Sequence, residues 1–350
     1  MKLLECVPNF SEGRDIAIIN KIAAAIESVN SIKILYIDSG EAANRTVITF
    51  VGEPDAVIEA AFQAIKTAGE LIDMTQHKGV HPRIGATDVC PLIPLSDIAM
   101  EETVVLSKKL AQRVGEELGI PVYLYENSAS ATHRKNLADI RKGEYEGLEE
   151  KMKHLDWKPD YGRFSIFDFR FSIRQDNKSE IQNPKSKIQN AGATVIGARD
   201  FLVAYNVNLD TQDVSIAKKI AAEIREKVET LHCNVSTHLK SVKAIGWYIE
   251  EYQRAQVSMN LTNIQVTSVH TAFEACKKIA EKYGVSVTGS ELIGLIPEKV
   301  LLDAGKFYEP HHSTLTLSSL IAIAVKHLGL DELKPFNPNE RVIENFLFKE

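Results

Sequence analysis

Apolar positions follow two rhythms along this chain, and the order of those rhythms predicts its architecture. Residues 3–7 read as a short strand, and 9–14 (NFSEGR) turn it into a helix. Ser11 is the expected N-cap, with Ile16, Ile19, Ile22, Ile26 and Val29 at helical spacing behind it. The β-rich runs 32–38 and 46–51, joined by a turn at 39–44, predict a hairpin. Pro54 opens a helix to about residue 72, since proline is tolerated in a first turn. A strand at 86–92, a helix at 96–118 and a strand at 121–125 follow, and 127–138 and 145–154 read as short helical segments. This β-α-β-β-α-β order predicts an α+β fold in which helices cover one face of a mixed sheet.

The second half repeats the coarse order without a residue-level repeat. It runs through a strand at 199–209, a helix capped by Asp213 with Ile216, Ile220, Ile224 and Val228 facing inward, strands at 242–249 and 256–261, a helix at 269–283 and a strand from 285. Apolar helices at 299–307 and 315–328 precede a polar tail, 331–350. Between the halves, KSEIQN at 178–183 recurs as KSKIQN at 185–190, and FSI recurs at 164–166 and 171–173. Such polar repeats mark a loosely folded insertion. The expected divisions are therefore 1–160, a linker with this insertion at 161–191, then 192–330, and the tail.

One stretch carries most of the candidate chemistry. Residues 76–94, QHKGVHPRIGATDVCPLIP, set two histidines, a lysine, an arginine and an aspartate among glycines and prolines. Gly79 and Pro82 argue against a helix, so a metal pair at the four-residue spacing of His77 and His81 is the weaker reading. The expected picture is an exposed loop bearing His81 and Arg83 that feeds the strand at 86–92. Taken alone, both side chains read as ordinary surface residues.

Composition narrows the class. A chain of 350 residues with 44% hydrophobic and 25% charged residues is long enough for two domains of ordinary globular character. The net charge of −6 argues against nonspecific nucleic-acid binding, so any positive surface is local. Cys6, Cys90, Cys233 and Cys276 form no C-x-x-C pair, which suits a reducing compartment. No signal-peptide core or membrane-length apolar run occurs. A cytoplasmic protein without metal, nucleic acid or membrane partner is expected.

HKGVHPRIGATDVCPLIP resembles the signature of the formiminotransferase family, as do VPNFSEGR near the start, NRTVITFVG at 44–52, GATVIGAR at 192–199 and RDFLVAYNVNL at 199–209. The resemblance implies a duplication of two ferredoxin-like subdomains. It also implies transfer of a formimidoyl group from N-formimidoyl-L-glutamate to tetrahydrofolate as co-substrate, giving 5-formimidoyltetrahydrofolate and L-glutamate, a step of histidine breakdown. Relatives are commonly dimers, so a homodimer is expected. The cyclodeaminase domain of animal relatives would not fit the remaining chain, which implies a monofunctional protein.

His81 matches the family's catalytic histidine, and histidine's ordinary value near ~6.5 suits moving a proton off the incoming amine and onto the departing glutamate nitrogen. Asp38 and Asp88 are candidates to orient the ring, and Asn44 joins the site through its motif. Both substrates are anionic, so Arg45, Arg83 and Arg199 are candidate carboxylate clamps, with Lys78 as a point charge. Tyr161, Gly162 and Gly192 are candidates to line the slot for the pterin ring. The insertion falls where family members contact folate. The rival reading is therefore a noncatalytic folate- or anion-binding protein.

Overall fold

The computed structural model describes residues 2–162, 190–225, 239–311 and 315–347. The expected insertion up to residue 189, Cys233 and Val228 lie outside these residues. The chain divides into two compact units, Met1–Arg199 and Asp200–Glu350.

In the first unit, β1 (Leu3–Cys6), β2 (Asn9–Phe10), α1 (Ile16–Glu27), β3 (Ile32–Gly40), β4 (Arg45–Gly52), α2 (Pro54–Leu71) and β5 (Thr87–Ser96) come in the predicted order. β3 pairs with β4, β4 with β1 and β2, and these with β5, all antiparallel. That strand order is the ferredoxin-like one. Leu4, Cys6, Phe10, Ile48 and Phe50 point to one face and pack on Ile22 and Ile26 of α1 and on the buried side of α2. Paired residues share a side of a sheet. The registers Glu5 to Val51, Asn9 to Val47 and Asp38 to Val47 therefore put Glu5, Asn9 and Asp38 on the opposite face, where Arg45 also falls by alternation along β4.

The sheet continues beyond β5. After α3 (Met100–Arg113) and β6 (Val122–Leu124) come α4 (Leu137–Arg141), α5 (Leu148–Met152) and β7 (Thr194–Ala198). β7 lies between β5 and β6 and is parallel to both. Residues 192–199, expected to open the second half, therefore belong to the first sheet. Ile196 packs toward α3 while Val195 packs with Tyr123, Ile140 and Leu148 on the other face. A run buried on both faces fits the interior of a parallel region.

Other expectations shift locally. Asp15, not Ser11, caps α1. Ser11 instead donates its hydroxyl to the Gly85 carbonyl at 2.7 Å and its N–H to that of Ala86 at 2.8 Å, tying the N-terminal turn to the loop before β5. The helix expected at 96–118 starts at Met100, and its last turn widens into a π turn over Val114–Leu118. The segment 127–138 forms only short 3₁₀ turns before α4.

The second unit comprises β8 (Val203–Leu209), α6 (Val214–Ile224), β9 (Val242–Ile249), β10 (Arg254–Leu261), α7 (Val269–Lys282) and β11 (Val287–Ile293). Its sheet has the order β11-β8-β10-β9, the same ferredoxin-like arrangement, with no extension among the described residues. α8 (Glu298–Tyr308) and α9 (Leu317–Leu328) follow, and the tail is part of the fold. Val342 is 1% exposed and bridges Ile296. No helix among the described residues is long and apolar enough to cross a membrane.

Candidate active site

The loop from Gln76 to Gly85 is held from several sides. Asn44 takes a left-handed conformation (φ 45°), which asparagine tolerates, at the end of the β3–β4 turn. Its side-chain oxygen accepts the Gly13 N–H at 2.9 Å, its amide donates to the Lys78 carbonyl at 3.0 Å, and its own carbonyl accepts from His77 Nε2 at 2.9 Å. A Cβ at Gly79 would collide with the Ala43 carbonyl, so only glycine lets the loop approach this turn. Asn44 thus positions the loop that carries the catalytic candidate.

His77 and Arg83 form the loop's inner brace. Because Nε2 of His77 faces a carbonyl, it carries the proton, and Nδ1 accepts from Arg83 Nε at 3.1 Å. Burial, with help from the Arg83 charge, lowers the His77 pKa and favours that neutral form. Arg83 also donates Nη1 to Glu144 and Glu146 at 2.9 and 2.8 Å, and Nη2 to Glu146 at 2.7 Å and the His77 carbonyl at 3.3 Å. Its five N–H donors are all engaged, so the expected substrate clamp is a brace between the loop and segment 144–146. A hollow of about 390 Å³ lies alongside, lined by Lys78, Gly79, Arg83, Gly143, Glu144 and Glu146.

His81 is half-buried, not fully exposed as the loop's composition predicted. Its Nδ1 donates to the Pro82 carbonyl at 2.8 Å, so in the neutral ring Nε2 holds the lone pair. Burial is the largest influence on the ring, followed by the charges of Arg45 and Arg141, and together they hold its pKa well below the usual histidine range. Asp88 offsets this only in part. The resting ring is therefore favoured in its neutral, proton-accepting form, and it can donate a proton only after it has taken one up.

Beside it lies an ion cluster centred on Asp88, which is 0% exposed. Arg45 Nη1 reaches Asp88 Oδ2 at 2.8 Å, Arg141 from α4 grips both carboxylate oxygens, and the Ile84 N–H donates to Oδ1 at 3.0 Å. Burial pushes the carboxyl up, but Arg141 and Arg45 outweigh it and keep it well below the usual carboxylate range. Arg45 Nε donates to Asn9 at 3.1 Å, and burial lowers the Arg45 pKa to about 10, leaving it charged at pH 7. Asp88 thus aligns the arginines, while Asp38 stands on β3 across from Val47, on the same face as Arg45, opposite α1 and α2.

The remaining candidates spread along the sheet. Arg199 follows β7; its N–H donates to the Leu92 carbonyl at 3.1 Å, its side chain bonds Tyr125 and its charge acts on Glu5. Tyr161 pairs with Val122 and packs on the first core. Gly162 and Gly192 both take positive φ, and Gly192 bridges Gly85. Arg141, Glu144 and Glu146 were missed in the sequence because they lie in a segment that reads as polar surface. Among the described residues no group of three or more His, Cys, Asp or Glu could hold a metal ion.

Two ferredoxin-like units, one carrying a histidine beside buried arginines, define a class that comparison with known proteins makes specific. Residues 3–199 match the formiminotransferase domain, N-terminal subdomain, and residues 204–348 the formiminotransferase domain. The chain belongs to the formiminotransferase family. It is 45% identical to the glutamate formimidoyltransferase of Streptococcus pyogenes serotype M1 over 88% of this chain and 93% of that protein. It is 44% identical to the formimidoyltransferase-cyclodeaminase of Dictyostelium discoideum over 98% of this chain, and spans 60% of that protein's length. A solved microcompartment protein from Desulfitobacterium hafniense matches with a TM-score of 0.21 at 8% identity, covering 84% of this chain and 94% of that one, too low to bear on fold or function.

Proposed function

We propose that this protein transfers the formimidoyl group of N-formimidoyl-L-glutamate to tetrahydrofolate, releasing L-glutamate. The observation that carries the reading is the half-buried His81, whose Nδ1 donates to a carbonyl and whose Nε2 holds the lone pair beside charged arginines. The names of the Streptococcus pyogenes and Thermoplasma acidophilum relatives, both glutamate formimidoyltransferase and both 45% identical to this chain, support the donor.

In this reaction the folate amine attacks the amidine carbon and forms a new C–N bond. His81 takes the proton from the attacking nitrogen, and the resulting imidazolium gives it to the glutamate nitrogen as the old C–N bond breaks. Arg45 attracts the donor's carboxylates, Arg199 and Lys78 are candidates for the glutamyl tail of the folate, and Asp38 stabilises the transient imidazolium. Tyr161, Gly162 and Gly192 serve the pterin ring, and the protein works in the cytoplasm as a homodimer.

The test is turnover with both substrates. His81→Ala should lower kcat by about 10² or more, as loss of a general acid–base does. Wild-type turnover in a folded His81→Ala protein would remove the assignment.

A further inference from the structure

We propose that Arg45, Asp88 and Arg141 form a carboxylate subsite beside His81, with Arg141 as a binding residue of the site. The inference deepens the transferase reading and rests on it for the ligand, a carboxylate of the glutamate moiety.

Three charged side chains are gathered where little water reaches, with 8%, 0% and 13% of their surfaces exposed. Two guanidinium groups and one carboxylate sum to a single uncompensated positive charge. The carboxylate has no capacity left for it, because Asp88 already accepts from Ile84 N–H, from Arg45 and from Arg141 through both oxygens. The arginines do have capacity. Arg45 engages Nε with Asn9 and one Nη1 hydrogen with Asp88, and Arg141 engages Nε and one Nη2 hydrogen with Asp88. Each guanidinium holds five N–H donors, so both can donate to a further acceptor. A buried net charge is costly unless a counter-ion meets it, and a carboxylate is the shape that guanidinium donors match.

Arg83 supplies the contrast within the same loop. It meets two carboxylates, Glu144 and Glu146, and all five of its donors are engaged. Its local charge is already overbalanced, so it offers an incoming anion nothing. Of the two arginine clusters beside the loop, only the one around Asp88 is short of negative charge.

Occupation would also act on His81. Charged groups acting on the ring include Arg45 from β4, Arg141 from α4 and Asp88 from β5, and the two arginines favour the neutral ring. A bound carboxylate offsets that positive charge and makes the ring a stronger base. The arginines alone favour the neutral ring; with a carboxylate bound between them, the ring can accept and hold the proton of the attacking amine.

The experiment follows the His81 ring by NMR across pH in the full-length protein, with and without L-glutamate as the probe. In wild type, L-glutamate should raise the ring's titration midpoint. Arg141→Gln should start from a higher midpoint, respond less to the probe and bind it about 10- to 100-fold more weakly. Arg141→Lys keeps the charge and should hold the midpoint low, while losing affinity because an ammonium cannot copy the forked contact. A midpoint that stays put in Arg141→Gln, or wild-type affinity for L-glutamate in that variant, overturns the subsite. A lowered melting temperature without a moved midpoint marks Arg141 as structural and does the same. Turnover of wild type, measured in parallel, separates the two claims. Turnover without any glutamate-linked shift retains the transferase and removes the subsite; a shift without turnover does the reverse.

Discussion

The two sheets share a strand order and differ in what they carry on the face opposite α1 and α2 in the first and α6 and α7 in the second. In the first, that face bears Glu5, Asn9, Asp38 and Arg45, and Arg45 is locked to the buried Asp88. In the second it bears a bonded network centred on amide groups, with Glu291, Glu332 and Arg254 around it. Gln256 donates to Asn208 at 2.7 Å and to Glu291 at 2.8 Å, and accepts from Trp247 at 2.9 Å. The same frame thus centres on a buried ion cluster in one copy and on directional amide contacts in the other. Fields suit proton movement, and fixed amide contacts suit orientation of a flat polar partner. Duplication leaves the strand order alone and changes the outward-facing side chains.

The largest effect that would sharpen this contrast is Asp88→Asn. Two buried guanidinium groups would lose their carboxylate, and stability at pH 7 should fall by about 3–5 kcal/mol in urea unfolding. Because the folded carboxyl is depressed, its contribution is present above the ordinary carboxylate value and is lost as pH falls through the folded one. The gap between variant and wild type should therefore narrow below about pH 4. An equal gap at pH 3 and pH 7 would mean that the cluster is not held together by charge.

Glu5→Gln comes next and has the opposite sign. Glu5 is 1% exposed and its Oε2 has no hydrogen-bond partner among the described residues; burial lifts its pKa to about 7 against the pull of Arg199. Such a group contributes stability below the unfolded carboxyl value, and that contribution is lost as pH rises through about 7. The variant should be more stable than wild type by about 3 kcal/mol at pH 8 and equal to it at pH 4. A pH-independent difference would break the assignment.

The second sheet should respond more mildly and without pH dependence near neutrality. Gln256→Leu strands the Asn208, Glu291 and Trp247 partners and should cost about 1–3 kcal/mol by thermal unfolding. Trp247→Phe removes one indole hydrogen bond and should cost about 1 kcal/mol. Losses there as large as that of Asp88→Asn would erase the distinction between the two faces.

Periodicity made the frame legible because each element's own residues encode it. The run 242–249 is strand β9 to the residue, and Pro54 does open α2. Partnership is not encoded that way. β7 reads as a strand anywhere, and only a gap between β5 and β6, closed on both faces, assigns it to the first sheet. The same limit governs the site. His81 and Arg45 stood out through motifs, but Arg141 is one cation on a short polar helix until Asp88 is found against it. Arg83 carries the right charge for a clamp, yet Glu144 and Glu146 engage it from about sixty residues away, beyond any local spacing rule.

Tyr161 is pinned to Val122 and Gly192 to Gly85, so the polypeptide is stapled to one sheet both before residue 163 and after residue 189. A backbone cut between residues 163 and 189 would free neither staple. The two fragments should remain together through purification, which makes this interval the place to open the chain for new termini, a label or a foreign peptide.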